Sequence, residues 1–400
     1  MLRRVRIKGF KSIWDAEVSL GKINVFIGTN GAGKSNLLEA IAMLSSSFEG
    51  GIDYERLARR GARLSSPEIF RSSLKNKARL NTFMLEADMG ELRYTSRVSC
   101  VDKFNYHSES LDSQDGKHLA GRSNVGSMIS GVDLPAKLET SKSIMSLFSA
   151  FSASSSVQKI LHGIENFGIY SPSTPILRGV SSDNSKRSPL GLYGGRLAES
   201  LSEVLAVDGN GERDQMLRFF TLLDWFKSVG TTEHPDRNLM SEHVSFGRFV
   251  VTYRDKFMRG NFDRLYGYDV SEGALHVLFT LILLTHKDAP SIFAIDNIDN
   301  GLNPGLVSQI MTHVVDIVGK SDEKQVFLTT HSPTTLDAID LFNDEHRLFV
   351  VQRKDDGQTE FKRIQAPPDM TKSNWQEHFM GLKLSEIWLS GALGGLPNHF

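Results

Sequence analysis

Apolar residues fall along this chain in short unbroken runs rather than in one long periodic stretch. Ile23-Asn24-Val25-Phe26-Ile27, Ile292-Phe293-Ala294-Ile295 and Gln325-Val326-Phe327-Leu328-Thr329-Thr330 each read as a strand covered on both faces, as in a parallel sheet buried by helices. Residues 36–44 and 277–284 read as core-facing helices that follow polar or glycine-rich loops. Residues 80–87 and 91–98 flank Met89-Gly90 and predict a β-hairpin, and residues 1–27 read as two strands. A further helix is predicted over residues 215–226, which are apolar on one side. Residues 102–160 are rich in Ser and Gly, with one helical stretch at 143–151, and read as an exposed insertion. Alternating strand and helix signals predict an α/β fold.

Composition narrows this picture only slightly. With 400 residues and 40% hydrophobic content, the chain can bury one large core or two. A net charge of −1 gives no global field to hold DNA or an anionic membrane, so any nucleic-acid contact has to come from a local patch. Arg56, Arg59, Arg60 and Arg63, and the crowded Arg3, Arg4, Arg6, Lys8 and Lys11, are the two patches available, the arginine row having a solvated face as its plainer reading. The single cysteine, Cys100, cannot form an internal disulfide and fits a reducing cytoplasm. Trp14-Asp15-Ala16-Glu17 and Lys22 interrupt the basic start, so neither a signal peptide nor a membrane partner is expected.

The chemistry concentrates where the apolar runs end. Gly28-Thr29-Asn30-Gly31-Ala32-Gly33-Lys34-Ser35 is a complete GxxxxGK[ST] loop between a strand and a helix. Its glycines let backbone amides of Asn30, Gly31, Ala32, Gly33, Lys34, Ser35 and Asn36 converge on phosphates, and the helix start adds partial positive charge. Lys34 is placed to contact the β and γ phosphates of ATP, and Ser35 to offer a hydroxyl to Mg²⁺. Asp296, ending the 292–295 run, is the acidic partner for that metal. His331 ends the 325–330 run at the same sheet edge. Ser271-Glu272-Gly273 precedes an apolar helix, where Ser271 reads as an N-cap and the small Gly273 permits close approach of an anion.

In that order, phosphate loop, Ser-Glu-Gly segment, acidic strand and histidine resemble the ABC-type ATPases of the SMC and RecF kind. Ile7-Lys8-Gly9-Phe10-Lys11-Ser12-Ile13 resembles that group's amino-terminal signature. Asp296-Asn297-Ile298-Asp299-Asn300-Gly301-Leu302-Asn303-Pro304 parallels the Asp-Glu-Pro-Glu-Asn-Gly-Leu-His-Pro stretch of the compact AAA-labelled ATPases in OLD-type and PARIS-type anti-phage systems. The likeness covers residues 1–45 and 265–340. It implies an ABC-type P-loop head with a helical insertion lobe: an N-terminal ATPase lobe over 1–100, an insertion over 101–240, and a C-terminal lobe over 241–400. The gap between phosphate loop and Asp296 is too short for the long coiled coils of true SMC proteins.

The resemblance also implies a mechanism. Ser271 of one copy would contact the γ-phosphate of ATP held by Lys34 and His331 of another, making ATP the clamp of a homo-oligomer built on a dimeric unit. Where the family has glutamate, this chain has Asn297, whose amide cannot accept a proton, so hydrolysis is expected to be slow unless Asp299 takes the role. No Asp-x-Asp pair follows His331, so a TOPRIM-like nuclease or toxin effector is expected on a separate protein, with DNA as a further candidate partner. A RecF-like repair ATPase and a non-catalytic ATP-bound scaffold are the alternatives. The end, residues 384–397, combines an apolar helix with a glycine-rich terminus and is expected to pack on its own core or to dock that effector.

Overall fold

The computed structural model describes residues 1–134, 138–151, 155–185, 187–206, 223–240 and 247–393. They fall into two compact units, one of residues 1–169, 290–297 and 321–400, the other of residues 170–289 and 298–320.

In the first unit the chain opens on three strands, β1 (Arg4–Phe10), β2 (Ile13–Ser19) and β3 (Ile23–Ile27), where the sequence suggests two. Lys11, at φ 46°, turns the chain sharply between β1 and β2 and splits what reads as one run. β4 (Thr82–Asp88) and β5 (Leu92–Ser99) form the expected hairpin. The chain then continues through β6 (Asn105–Ser113), β7 (His118–Arg122), β8 (Ser127–Ile129) and β9 (Val132–Asp133). Together these build one eight-stranded sheet in the order β2-β1-β4-β5-β6-β7-β8-β9. Residues 105–133 are therefore ordered sheet and not a loose insertion. Their polar composition belongs to the sheet's open face, and the inward positions Tyr106, Leu111, Ala120 and Ile129 are buried.

The second sheet of this unit carries the phosphate-loop strand. Its order is β10 (Ile169–Tyr170), β14 (Ile292–Ile295), β15 (Gln325–Thr330), β3, β16 (His346–Arg353), β17 (Thr359–Ile364). β14, β15, β3 and β16 run parallel, so their carboxyl ends share one edge, and only β17 returns antiparallel. The helix Lys34–Glu49 touches β1 and β4 of one sheet and β15 of the other, which explains why it is buried along nearly its whole length. Leu37, Leu38, Ile41, Leu44 and Phe48 join the two sheets into one core, each worth about 1.5–3 kcal/mol on burial. Phe26 on β3 stacks on Phe349 of β16 at 5.0 Å, fixing the sheet beneath the loop. Cys100 is buried, which pushes its thiol up to about 12 and leaves it chemically quiet.

In the second unit β11 (Phe226–Thr232), β12 (Val250–Asp255) and β13 (Arg264–Tyr266) form a small antiparallel sheet. The helix Glu272–Thr285 is buried from Ala274 onward, and Pro304–Lys320 packs on it. The segment expected as one lobe, 101–240, is divided between the units at residue 170. The helix predicted over 215–226 lies for the most part outside the described residues; Leu223–Trp225 are turn and Phe226 begins β11. Among the described residues no helix is long and apolar enough to cross a membrane.

Candidate functional site

The loop of residues 28–33 leaves β3 at the carboxyl edge and runs straight into the helix Lys34–Glu49. Two of its positions demand glycine for different reasons. A Cβ on Gly28 would lie 2.1 Å from the Val351 carbonyl oxygen, and one on Gly33 would lie 2.2 Å from Thr359 Oγ1 at a φ of 110°. The helix that follows has a glycine as its N-cap, so no cap side chain covers its start, where an outside anion is favoured; the Asn36 N–H donates to the Gly33 carbonyl at 3.1 Å. Asn30 and Gly31 are exposed at the loop tip, and Ala32 is buried beneath it.

Lys34 is almost wholly buried. Its Nζ donates to the carbonyls of Gly28 (2.6 Å) and Thr29 (3.1 Å) and lies 3.3 Å from His331 Nδ1. Ser35 Oγ donates to Asp296 Oδ2 at 3.1 Å. Asp296 directly follows β14 and His331 directly follows β15, so two adjacent parallel strands deliver both groups to the loop carried by β3.

Thr329 fastens this corner, and the sequence reading passed over it. Its hydroxyl donates to Asp296 Oδ1 and accepts the backbone N–H of Asn297 at 2.8 Å. Asn297 itself adopts φ 56°, a left-handed conformation that Asn tolerates better than Glu. The only hint of Thr329 in the sequence is a hydroxyl at an inward position of an apolar strand.

The remaining expected residues belong to the second unit. Ser271 caps the helix Glu272–Thr285 by accepting the Ala274 N–H at 3.4 Å. The Glu272 carboxylate accepts the Thr174 hydroxyl and lies 3.7 Å from His276 Nε2. Burial pushes the His276 imidazole below its ordinary value, against the smaller opposing pull of Glu272. A Cβ on Gly273 would approach Leu306 to 3.2 Å. Asp299 accepts the Leu302 N–H through its backbone carbonyl at 3.3 Å.

The basic patches are engaged within the chain. Arg60 is buried and reaches Glu49 and the Glu165 carbonyl; Arg59 pairs with Glu49, Arg56 with Asp53 and Arg63 with Glu39. Arg3, Arg4, Arg6, Lys8 and Lys11 each face a carboxylate as well. One other cluster of metal-capable atoms occurs among the described residues: Glu203, His286 and Asp288. His286 Nδ1 accepts the Asp288 N–H at 3.1 Å, so the ring proton sits on Nε2, 3.0 Å from Glu203. With both ring nitrogens engaged, this is a hydrogen-bonded pair, not a presented ligand set. Ser35 and Asp296 are the hard oxygen donors that suit Mg²⁺.

With this geometry in hand, residues 1–108 match the model of an AAA ATPase domain. Residues 217–337 match one described as "AAA domain, putative AbiEii toxin, Type IV TA system". A comparison with curated proteins finds no match. Among solved structures the chain is similar to an SMC head bound to the C-winged helix domain of ScpA, at TM-score 0.50 and 14% identity over 92% of this chain and 99% of that one. It is also similar to the SMC head domain from Thermotoga maritima, at TM-score 0.46 and 13% identity over 91% and 99% of the two chains. At such identities the likeness is one of fold. The fold is that of an SMC-head-like P-loop ATPase, mixed α/β with sheets flanked by helices, and the domain matches support an AAA-type ATPase.

Proposed function

We propose that the chain binds Mg²⁺–ATP at residues 28–36 and hydrolyses it slowly, and that nucleotide joins two copies and so controls a separate effector. The observation that carries this reading is the meeting of Lys34 with His331, and of Ser35 with Asp296, at the carboxyl ends of adjacent parallel strands. The residues fit the ligand: a helix start with no cap side chain, a buried ammonium and paired hard oxygen donors meet at a loop whose Gly28 and Gly33 leave no room for a side chain. When bound, Mg²⁺ neutralises phosphate charge and polarises the bond to be broken.

The chain's own groups do the rest. Loop amides hold the phosphate oxygens, and Lys34, now satisfied by two carbonyls, exchanges them for phosphate oxygens of higher charge. Thr329 holds the Asp296 carboxylate toward Ser35. His331 supplies a ring nitrogen beside Lys34 that distinguishes an occupied γ-position from an empty one. Asn297 can orient water but cannot take its proton, which keeps turnover slow and leaves Asp299 as the nearest carboxylate in sequence besides the metal-side Asp296.

The effector reading is supported by the toxin-system description of the matched 217–337 segment and by the ScpA domain borne by an SMC head of this fold. With the likeness to anti-phage ATPases, it supports a role in defence or DNA surveillance, the effector being a nuclease or toxin. Direct DNA binding gains no support from arginines already paired to carboxylates. The φ of Asn297 favours one second reading, an ATP-bound scaffold that seldom turns over. Steady-state turnover with light scattering, with and without Mg²⁺–ATP, tests the proposal. Slow hydrolysis further reduced by Asp299→Asn, together with nucleotide-dependent doubling of mass, is the expected result. Fast turnover indifferent to Asp299, or a mass unchanged at saturating ATP, overturns it.

A further inference from the structure

Beneath the phosphate loop lies a chain of polar groups that no step above uses. Thr359, at the start of β17, is 4% exposed, and its Oγ1 lies 2.9 Å from the carbonyl oxygen of Ala32 in the loop. Ser12, 7% exposed, lies 2.6 Å from Thr359 Oγ1, and its own carbonyl accepts the Thr359 N–H at 2.8 Å. Asn36 Nδ2 donates to Ser12 Oγ at 2.7 Å, and Arg63 donates to Asn36 Oδ1 at 3.1 Å.

The proton positions in this chain follow from chemistry alone. A carbonyl only accepts, so the Thr359 hydroxyl proton points at Ala32. Thr359 Oγ1 must then accept from Ser12, whose remaining lone pair receives the Asn36 amide proton. That leaves Asn36 Oδ1 for the guanidinium of Arg63. All donors point one way, from Arg63 to the loop. The two links nearest the loop are buried and the Asn36–Ser12 link is half-buried; in such surroundings a bond is strong when made and costly when broken.

The end of the chain is the informative part. In a planar trans peptide the C=O and the following N–H point in opposite directions. Holding the Ala32 carbonyl on Thr359 therefore turns the Gly33 N–H away from β17, toward the side on which a phosphate loop presents its amides. Left unheld, a peptide flanked by glycine is free to flip. We infer that Thr359 is a positioning residue for nucleotide binding: it fixes the Ala32–Gly33 peptide so that the Gly33 amide meets phosphate, with Ser12 and Asn36 setting the direction of its hydroxyl. The inference rests on the nucleotide reading above and adds to it a residue more than 300 positions along the chain from the loop.

Equilibrium titration of the full-length protein with a fluorescent ATP analogue and Mg²⁺ tests it, alongside thermal unfolding. Thr359→Val keeps the shape and removes the donor, and its affinity is expected to fall about tenfold. Thr359→Ser restores the donor and is expected to bind within about twofold of the parent. Ser12→Ala frees the Thr359 hydroxyl to rotate, with an expected loss of about threefold. A purely structural role predicts the opposite pattern, a lower Tm with unchanged affinity measured well below it, and that result overturns the inference. Should Thr359→Val not fold, a Ser12→Ala protein that binds like the parent overturns it equally. A parent that binds no nucleotide overturns the site reading itself and this inference with it, whereas a parent that binds beside an unaffected Thr359→Val protein overturns only the inference.

Discussion

Two helices in this molecule begin after a loop built for close approach, and they begin differently. The helix Lys34–Glu49 has Gly33 as its N-cap, with no side chain closing its first amides and no acid in its first turn. The helix Glu272–Thr285 is closed by its own sequence: Ser271 accepts the Ala274 N–H, and Glu272 stands in the first turn holding the Thr174 hydroxyl. A helix start is a ready anion site only when its amides lack an internal partner. The first therefore suits the proposed phosphate site. The second takes an anion only by loosening a cap in which the Ala274 N–H meets the Ser271 hydroxyl at 3.4 Å and the Ser271 carbonyl at 3.1 Å. That difference fits one helix that holds the nucleotide and another that meets it when a second copy arrives.

The largest break in this comparison comes from the open start. Lys34→Ala is expected to weaken ATP binding by more than about 100-fold, since it removes a buried charge-assisted contact, while Tm changes little. Isothermal titration reads this directly, and nucleotide affinity that survives the change would remove the primary site. Asp296→Asn comes next: hydrolysis is expected to drop by about 100-fold with Mg²⁺ dependence lost, and binding to suffer less. Turnover measured across a Mg²⁺ series separates the two effects.

Much of the open start was legible in the sequence, and little of what supports it was. The phosphate loop, the two acid- and histidine-bearing strands and the β4–β5 hairpin all announce themselves through runs and alternation that depend on local residues. Residues 105–133 did not, because their sheet alternates buried positions with Ser, Asp and His, a composition that reads as loop. Thr329 and Thr359 were invisible for another reason. Their meaning lies in partners 33 and 327 residues away, and spacing along a chain carries no trace of such a meeting. The arginine row shows the converse error: its spacing suggested an outward face, yet Arg60 turned inward to bind Glu49 and Ser45.

The tail sharpens the open site from a distance. Ile387 and Trp388 of the helix Leu384–Leu389 are buried, and the Ser385 N–H donates to Asp337 in the 3₁₀ turn Pro333–Ala338 that follows His331. The segment thus packs on its own core. Trp388→Ala is expected to cost about 3–5 kcal/mol, read by urea unfolding, and to loosen the turn behind His331. A change below about 1 kcal/mol would instead return this helix to the docking role.

At the closed start the expected effects are smaller. Ser271→Ala should cost no more than about 1 kcal/mol of stability and leave nucleotide affinity of the single copy intact. Its signature is at the second encounter: nucleotide-driven association, followed by analytical ultracentrifugation, is expected to weaken about tenfold. Equal loss of both properties would show that Ser271 acts within its own chain.

The smallest effect is one of pH, and part of it arises at the closed start. His276 lies one turn into that helix, 3.7 Å from Glu272, and burial holds its imidazole below its ordinary value. The unfolded chain therefore takes up the proton first, so stability is level above about pH 6.5 and falls as the pH drops below it. His313 and His346 are shifted the same way by burial and add to the same slope. His276→Gln is expected to reduce the fall in Tm between about pH 7 and about pH 5.5 by about 1–2 °C, leaving the rest to the other shifted groups. An equal fall in the parent and in His276→Gln would move the acid sensitivity elsewhere and leave the closed start indifferent to pH.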